Sequence, residues 1–513
     1  MLRSRKYIFI VIILILSIVF TSCTYKFNKT DKADISKSEY ETLVIDDYNN
    51  IDIDNISQYQ IDVVFNPEEK YYTAKQKVIY INNEDIALKE IYFHIYPNAF
   101  RKESTVPFLF DNFKRAYPNG FKPGYIDIQK VSVNNKELDF SIIGEDKTIL
   151  KIPLSNEVLP KEKINIYMEY KVVIPPARDR FGYGENTFNL GNWYPILAVY
   201  DDEGWNLDPY YSIGDPFYSE VSNYQVTIKA PKDFVIAASG LKISEKVIDN
   251  MKIWKFKAEL MRDFAWVASK DFIEDEIKVN DTIVKLYFLN DNIEIQSFVK
   301  NVVFDCINIF NEIFGKYPYK QYSVVATSFP SGMEYPGIVF IGEEYYSDEY
   351  REFLETVIVH ETAHQWWYGI VGNDEVDEAW LDESITSYSE VIYISEKYGD
   401  EIGEIYYYEN TSNYYMSRKS ILKMQDEVIV KSLSKFKGWE DYGPLVYSKG
   451  AMFLNEIKEK YGKDVLYNVL NEFFNRYRFK IASTSDFINV CEDITGDDFT
   501  DLISYWLYGK NAS

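Results

Sequence analysis

His360-Glu361-Thr362-Ala363-His364 sets two imidazoles four residues apart, with a carboxylate beside the first. On an α-helix this spacing brings both rings to one face, as a single zinc ion with ~2.0–2.1 Å Zn–N bonds requires. Glu361 is turned about 100° around the helix from His360, so it can reach a water on the metal without being a ligand. The chemistry is metal-assisted hydrolysis. The chain holds three histidines and this motif uses two of them. The third, His94 in Phe93-His94-Ile95-Tyr96, lies in an apolar run and is expected to be structural.

A catalytic zinc needs a third protein ligand. Glu383, in Trp380-Leu381-Asp382-Glu383-Ser384, stands on the next helical stretch. By spacing alone Asp374, Glu375, Asp377, Glu378, Asp382 and Glu390 compete with it.

The wider pattern narrows the choice. Glu383 follows His364 after 18 residues, with Trp366-Trp367 behind the second histidine. Gly332-Met333-Glu334-Tyr335-Pro336-Gly337 lies upstream and Tyr447-Ser448-Lys449-Gly450-Ala451 downstream. Together these resemble the aminopeptidase N family of gluzincin metallopeptidases, which includes the leukotriene hydrolase. The resemblance covers roughly residues 55 to 513 and implies a β-saddle domain followed by a thermolysin-like domain, with zinc in the cleft between them. It implies that Glu383 completes the site of one catalytic Zn²⁺, that Tyr447 donates to the oxyanion, and that Glu334, with Gly332 and Met333 beside it, binds the free α-amine of a peptide.

A carboxylate facing a buried ammonium measures one residue from the chain end and makes a peptidase an exopeptidase; without it an endopeptidase is expected. The rival functions are therefore a gluzincin endopeptidase and a catalytically silent peptide-binding surface lipoprotein. Tyr335 stands where the family has Asn, and Asp382 where it often has Asn. Tyr442 rivals Tyr447, and Glu185 is a weak candidate for a second amine-binding residue.

The elements that must carry these residues fall into two regions. From Tyr59 to about Phe272 the pattern alternates, as in Ile164, Ile166, Met168, Tyr170 and Val172, which reads as half-buried strands. Beyond it helical periods dominate, over 292–315, 349–369, 375–399 and 446–462, each closed by a glycine. Strands Ile283–Leu289, Tyr322–Thr327 and Gly337–Ile341 remain between them. The fold class is α+β, with a β-rich domain over 55–272 and a largely helical catalytic domain over 273–513. No internal repeat is present.

At the start, Arg3, Arg5 and Lys6 precede an apolar run from Tyr7 to Phe20, which reads as an export signal over 1–22 and is too short to span a bilayer comfortably. Thr21-Ser22-Cys23 resembles the lipobox of bacterial lipoproteins, with Phe20 in place of the usual Leu. It implies lipidation at Cys23 and a protein anchored on the outer face of a bacterial membrane, with residues 23–54 as a polar tether. A bond between Cys306 and Cys491 is open to an exported chain. With 55 Lys+Arg against 80 Asp+Glu, the net charge of −25 excludes nucleic acid as a partner, since phosphate binding needs a basic footprint.

Overall fold

The computed structural model describes residues 41–108 and 112–509. The leader and Cys23 lie outside the described residues. An eight-stranded sheet dominates the first half, in the order Leu241–Ile248, Met251–Met261, Ser222–Pro231, Gln58–Asn66, Tyr71–Ile81, Lys163–Val173, Tyr125–Val133 and Lys136–Glu137. Its pairings are antiparallel except that between Gln58–Asn66 and Ser222–Pro231, which is parallel. The alternation is realised residue by residue: Tyr59, Ile61, Val63 and Phe65 are buried, whereas Gln60, Asp62 and Val64 are exposed. Two four-stranded sheets and a two-stranded one, Tyr200–Asp201 with Gly204–Trp205, complete this half.

His94 ends the strand Leu88–His94 in one of these smaller sheets. Its ring stacks on Tyr96 at 4.9 Å, and Nε2 bonds the carbonyl of Asn206 at 3.1 Å. Burial pushes its pKa down to about 4. Between the unfolded value near 6.5 and this folded value the unfolded chain takes up a proton that the fold refuses, so stability falls as pH drops through that window, by up to about 3 kcal/mol. His94→Gln does not titrate. In urea unfolding, the stability gap between wild type and His94→Gln should therefore narrow by about 2–3 kcal/mol from pH 7 to 4.5; a constant gap rejects the assignment.

A five-stranded sheet begins at Ile273, in the order Ile273–Val279, Thr282–Phe288, Gln321–Thr327, Ile338–Gly342, Gly332–Met333. Every residue of Gln321–Thr327 is buried, as expected of a strand with parallel neighbours and both faces covered. Apolar side chains from both halves share one continuous core.

Helix α1 (Ile293–Ile313) starts on the Asn292 side chain, which accepts from the amides of Glu294 and Ile295. It buries the stripe Ile295, Val299, Val302, Val303, Cys306, Ile307 and Phe310. Helix α2 (Arg351–Ala363) is shorter than its hydrophobic period suggests. The chain turns at His364 because Trp366 and Trp367 are drawn sideways: their indoles donate to Gly315 O (2.7 Å) and Ser389 Oγ (3.2 Å). Tyr368 then adopts φ +110°, a strained conformation for a non-glycine residue. The buried Arg262 of the first half clamps it, donating to the carbonyls of Tyr368, Ser219 and Lys480.

Helix α3 (Trp380–Tyr398) starts five residues later than the expected 375, because Asp374 accepts from the amides of Val376 and Asp377 and holds a turn there. After α4 (Asp400–Tyr407) a π-helical turn over Tyr408–Ser412 leads into α5 (Asn413–Leu422). A second π-helical segment, Gly443–Lys449, precedes α6 (Gly450–Tyr461), where a single helix over 446–462 was expected. Cys306 and Cys491 are both buried free thiols, so the two are not bonded.

Candidate metal centre

Helices α2 and α3 pack against each other and bring His360, His364 and Glu383 together. The three atoms that face one point form a near-equilateral triangle: Nε2 to Nε2 is 3.2 Å, and Glu383 Oε2 lies 3.4 Å from His360 Nε2 and 3.3 Å from His364 Nε2. A tetrahedral zinc with bonds near 2.0–2.1 Å demands ligand–ligand edges of about 3.3 Å. Glu383 Oε2 is buried and without a hydrogen-bond partner, as an atom reserved for a metal should be. The donor set fits one zinc ion.

The outer nitrogens are held as well. His360 Nδ1 meets Glu390 Oε1 at 2.6 Å, and His364 Nδ1 lies 3.1 Å from Trp367 O and 3.2 Å from Thr386 Oγ1. Such partners fix the tautomer and the ring direction. Burial opposes ionisation of Glu383, but its contacts with His360 and His364 outweigh burial and hold its carboxyl far below the ordinary range.

None of the other acids competing by spacing gathers with both imidazoles; Asp377 is exposed, and Glu375 is buried outside the cleft lining. Glu390 backs His360, Asp374 holds its turn, and Glu378 accepts from the Thr484 amide. Asp382 faces Glu334 and His364, with ligand atoms of the three within 4.8 Å of one another.

Glu361 is buried, with Oε2 unpartnered. Burial raises its pKa to about 7, against the pull of the two histidines. A Cβ built on Gly332 would overlap this carboxylate, which explains the glycine. Gly332→Ala should leave folding and metal content nearly unchanged but displace Glu361, lowering kcat about 10- to 100-fold, since a 1 Å misplacement costs on the order of 10²-fold. Full activity in this variant, measured beside its Tm and zinc content, would reject the contact.

Glu334 comes directly after the edge strand Gly332–Met333, buried in the cleft with Oε1 unpartnered. Burial, then the charge of Asp215, raises its pKa. Strand alternation sends Met333 the other way, into the core and out of the cleft, so Met333 supports the site by packing rather than by lining it. Tyr335, at the family's Asn position, donates to Asn192 Oδ1 at 2.6 Å. Gln365, next to His364, ties down the same loop by accepting from Gly337 N (2.7 Å) and donating to Tyr335 O (3.2 Å).

Tyr447 sits in the π-helical segment, lines the cleft and donates to Glu383 Oε1 at 2.5 Å. Burial raises its pKa, so the hydroxyl stays a donor. The segment is seated on α3 by Ser384, whose hydroxyl donates to Val446 O at 2.6 Å; a Cβ on Gly450 would overlap that hydroxyl. The rival Tyr442 is buried with an unpartnered hydroxyl outside the cleft lining.

The first half supplies two residues that sequence reasoning missed. Arg180 and Asp215 are buried in the cleft wall as an ion pair at 2.7 Å. They belong to irregular segments without motif or periodicity, so no sequence signal marks them. Glu185 is exposed and does not line the cleft. The cleft encloses about 750 Å³.

A buried His/His/Glu triangle with a free carboxylate beside it, set between a β-rich half and a helical half, defines the class of gluzincin-type metallopeptidases. Residues 298–506 match the family model described as Peptidase family M1 domain. The chain is 24% identical over 399 residues to leucine aminopeptidase 2 of Yarrowia lipolytica, covering 73% of this chain and 58% of that protein. It is 20% identical over 406 residues to leucyl aminopeptidase of Saccharolobus solfataricus, covering 74% and 48%. The chain thus spans about half the length of these relatives. The M1 zinc metallopeptidase of Deinococcus radiodurans shares its fold, with TM-score 0.65 at 14% identity over 89% of this chain and 94% of that one. The α+β architecture of a β-rich N-terminal region and a helical catalytic domain agrees with the sequence expectation.

Proposed function

We propose that the protein is a zinc aminopeptidase that releases N-terminal residues from peptides. The observation that carries this reading is Glu334: a buried carboxylate with an unpartnered oxygen, in the same cleft as the His360/His364/Glu383 triangle. Such a group favours a cationic partner over an uncharged peptide segment.

His360, His364 and Glu383 would hold the zinc, which when bound supplies a Lewis acid to polarise the scissile carbonyl and lower the pKa of water toward ~7. Glu361 takes the proton of the attacking water as the tetrahedral centre forms, then hands it to the departing amine. Tyr447 turns its hydroxyl from Glu383 to the developing oxyanion, a donor typically worth about 2.7–4 kcal/mol. Glu334 holds the substrate ammonium, so the bond presented to Glu361 is the first one.

The test is a panel of aminoacyl reporters, free and N-acetylated, with and without a chelator. Cleavage confined to free amines, lost on chelation and restored by zinc, is the expected result. Equal cleavage of N-acetylated internal bonds favours an endopeptidase, and no cleavage favours a silent peptide-binding protein.

We also infer export and lipid anchoring at Cys23, supported by the basic start, the apolar run and Thr21-Ser22-Cys23. Labelling with a radioactive fatty acid, lost in Cys23→Ala, tests this.

A further inference from the structure

Cations are scarce in this cleft, and one of them has nothing to bind. Of its two lining arginines, Arg180 is paired with Asp215. Arg418 makes no hydrogen bond or ion pair with any described residue, and its Nε is shut off from solvent without an acceptor. A buried guanidinium donor left unmatched costs stability, and five N–H donors in a fixed fork suit a carboxylate.

Its placement is organised. Tyr406, Asn410, Tyr414 and Arg418 all line the cleft at steps of four residues, forming one stripe along α4, the π-helical turn and α5. This stripe reaches the metal centre from the His360 end: Tyr406 donates to Glu390, whose other oxygen meets His360. Glu334 stands at the other end, beside His364. Carboxylate and guanidinium thus flank the imidazole pair, and a peptide lying across it with its ammonium at Glu334 runs toward Arg418.

We propose that Arg418 forms a subsite for the C-terminal carboxylate of short peptides, making the cleft selective for substrates whose two charged ends both fit within it. The proposal rests on the peptidase reading above. A charge-assisted hydrogen bond of ordinary strength gives a preference of about ten- to a hundredfold.

The experiment compares tripeptides Xaa-Ala-Ala, with Ala, Leu or Lys first, as free acids and as C-terminal amides, alongside an octapeptide pair. The zinc-loaded wild type should show a KM about ten- to a hundredfold lower for the tripeptide acid than for its amide, and no such difference for the octapeptide, whose far end lies outside the cleft. Arg418→Gln should erase the tripeptide difference, and Arg418→Lys should retain part of it. Equal KM for acid and amide tripeptides, a preference surviving in Arg418→Gln, or the same preference in the octapeptide overturns the proposal. So does a comparable gain from an Asp or Glu side chain in an amidated tripeptide, which would assign Arg418 to side-chain carboxylates. If no peptide is cleaved, the aminopeptidase reading fails. Calorimetric titration of zinc-loaded Glu361→Gln, with and without Arg418→Gln, by the same acid and amide pair then decides the Arg418 subsite by itself.

Discussion

Glu361→Gln is expected to lower kcat by about 10²–10⁴-fold, the range that a positioned general base contributes, while the protein still binds one zinc ion. The amide keeps the volume of the carboxylate and the space left by Gly332, so the packing is preserved and only the proton acceptor is lost. Glu361 is not among the three groups whose atoms converge on the metal position, and metal content should therefore match the wild type. Turnover of an aminoacyl reporter together with elemental analysis of zinc decides the matter. A variant that retains more than about a tenth of wild-type kcat, or loses its metal, removes Glu361 from the role of base.

Glu383→Ala should show the reverse pattern, with metal and activity lost together. Two imidazoles remain, and among the described residues no other acid gathers with both of them: Asp382 and Glu334 cluster with His364 alone. Glu390 is committed to His360 Nδ1 at 2.6 Å, and Asp382 faces Glu334. Zinc at a hundred times its Kd stabilises a folded protein by about 2.7 kcal/mol, which corresponds to roughly 5–11 °C in Tm for a domain of 150–250 residues. The wild type should show this zinc-dependent shift, and Glu383→Ala should lack it at the same concentration. Glu390→Gln should fall between the two, weakening zinc by about 10- to 100-fold, as loss of a partner to a liganding histidine typically does. An unchanged zinc shift in Glu383→Ala would return the third-ligand role to one of the other acids on the sequence.

Positions after the second histidine show how packing overrides local pattern. The hydrophobic period runs on to Gly369, yet α2 stops at Ala363, because two indoles find their acceptors on α3 and at the end of α1. The strain at Tyr368 is held by Arg262 from the β-rich half. The two halves therefore meet directly behind the metal ligands.

Short-range chemistry was legible in the linear chain. The i, i+4 histidines, the alternation of the first region and the glycine stops of α1, α3 and α6 depend on backbone geometry that neighbouring residues set by themselves. Choosing Glu383 among seven acids, turning Met333 away from the cleft, and joining Arg180, Asp215 and Arg418 to the site required the tertiary structure. Those outcomes depend on helix crossing, on strand pairing and on burial, which arise between residues far apart along the chain. A motif encodes what a residue can do, and only packing determines which groups it does it with.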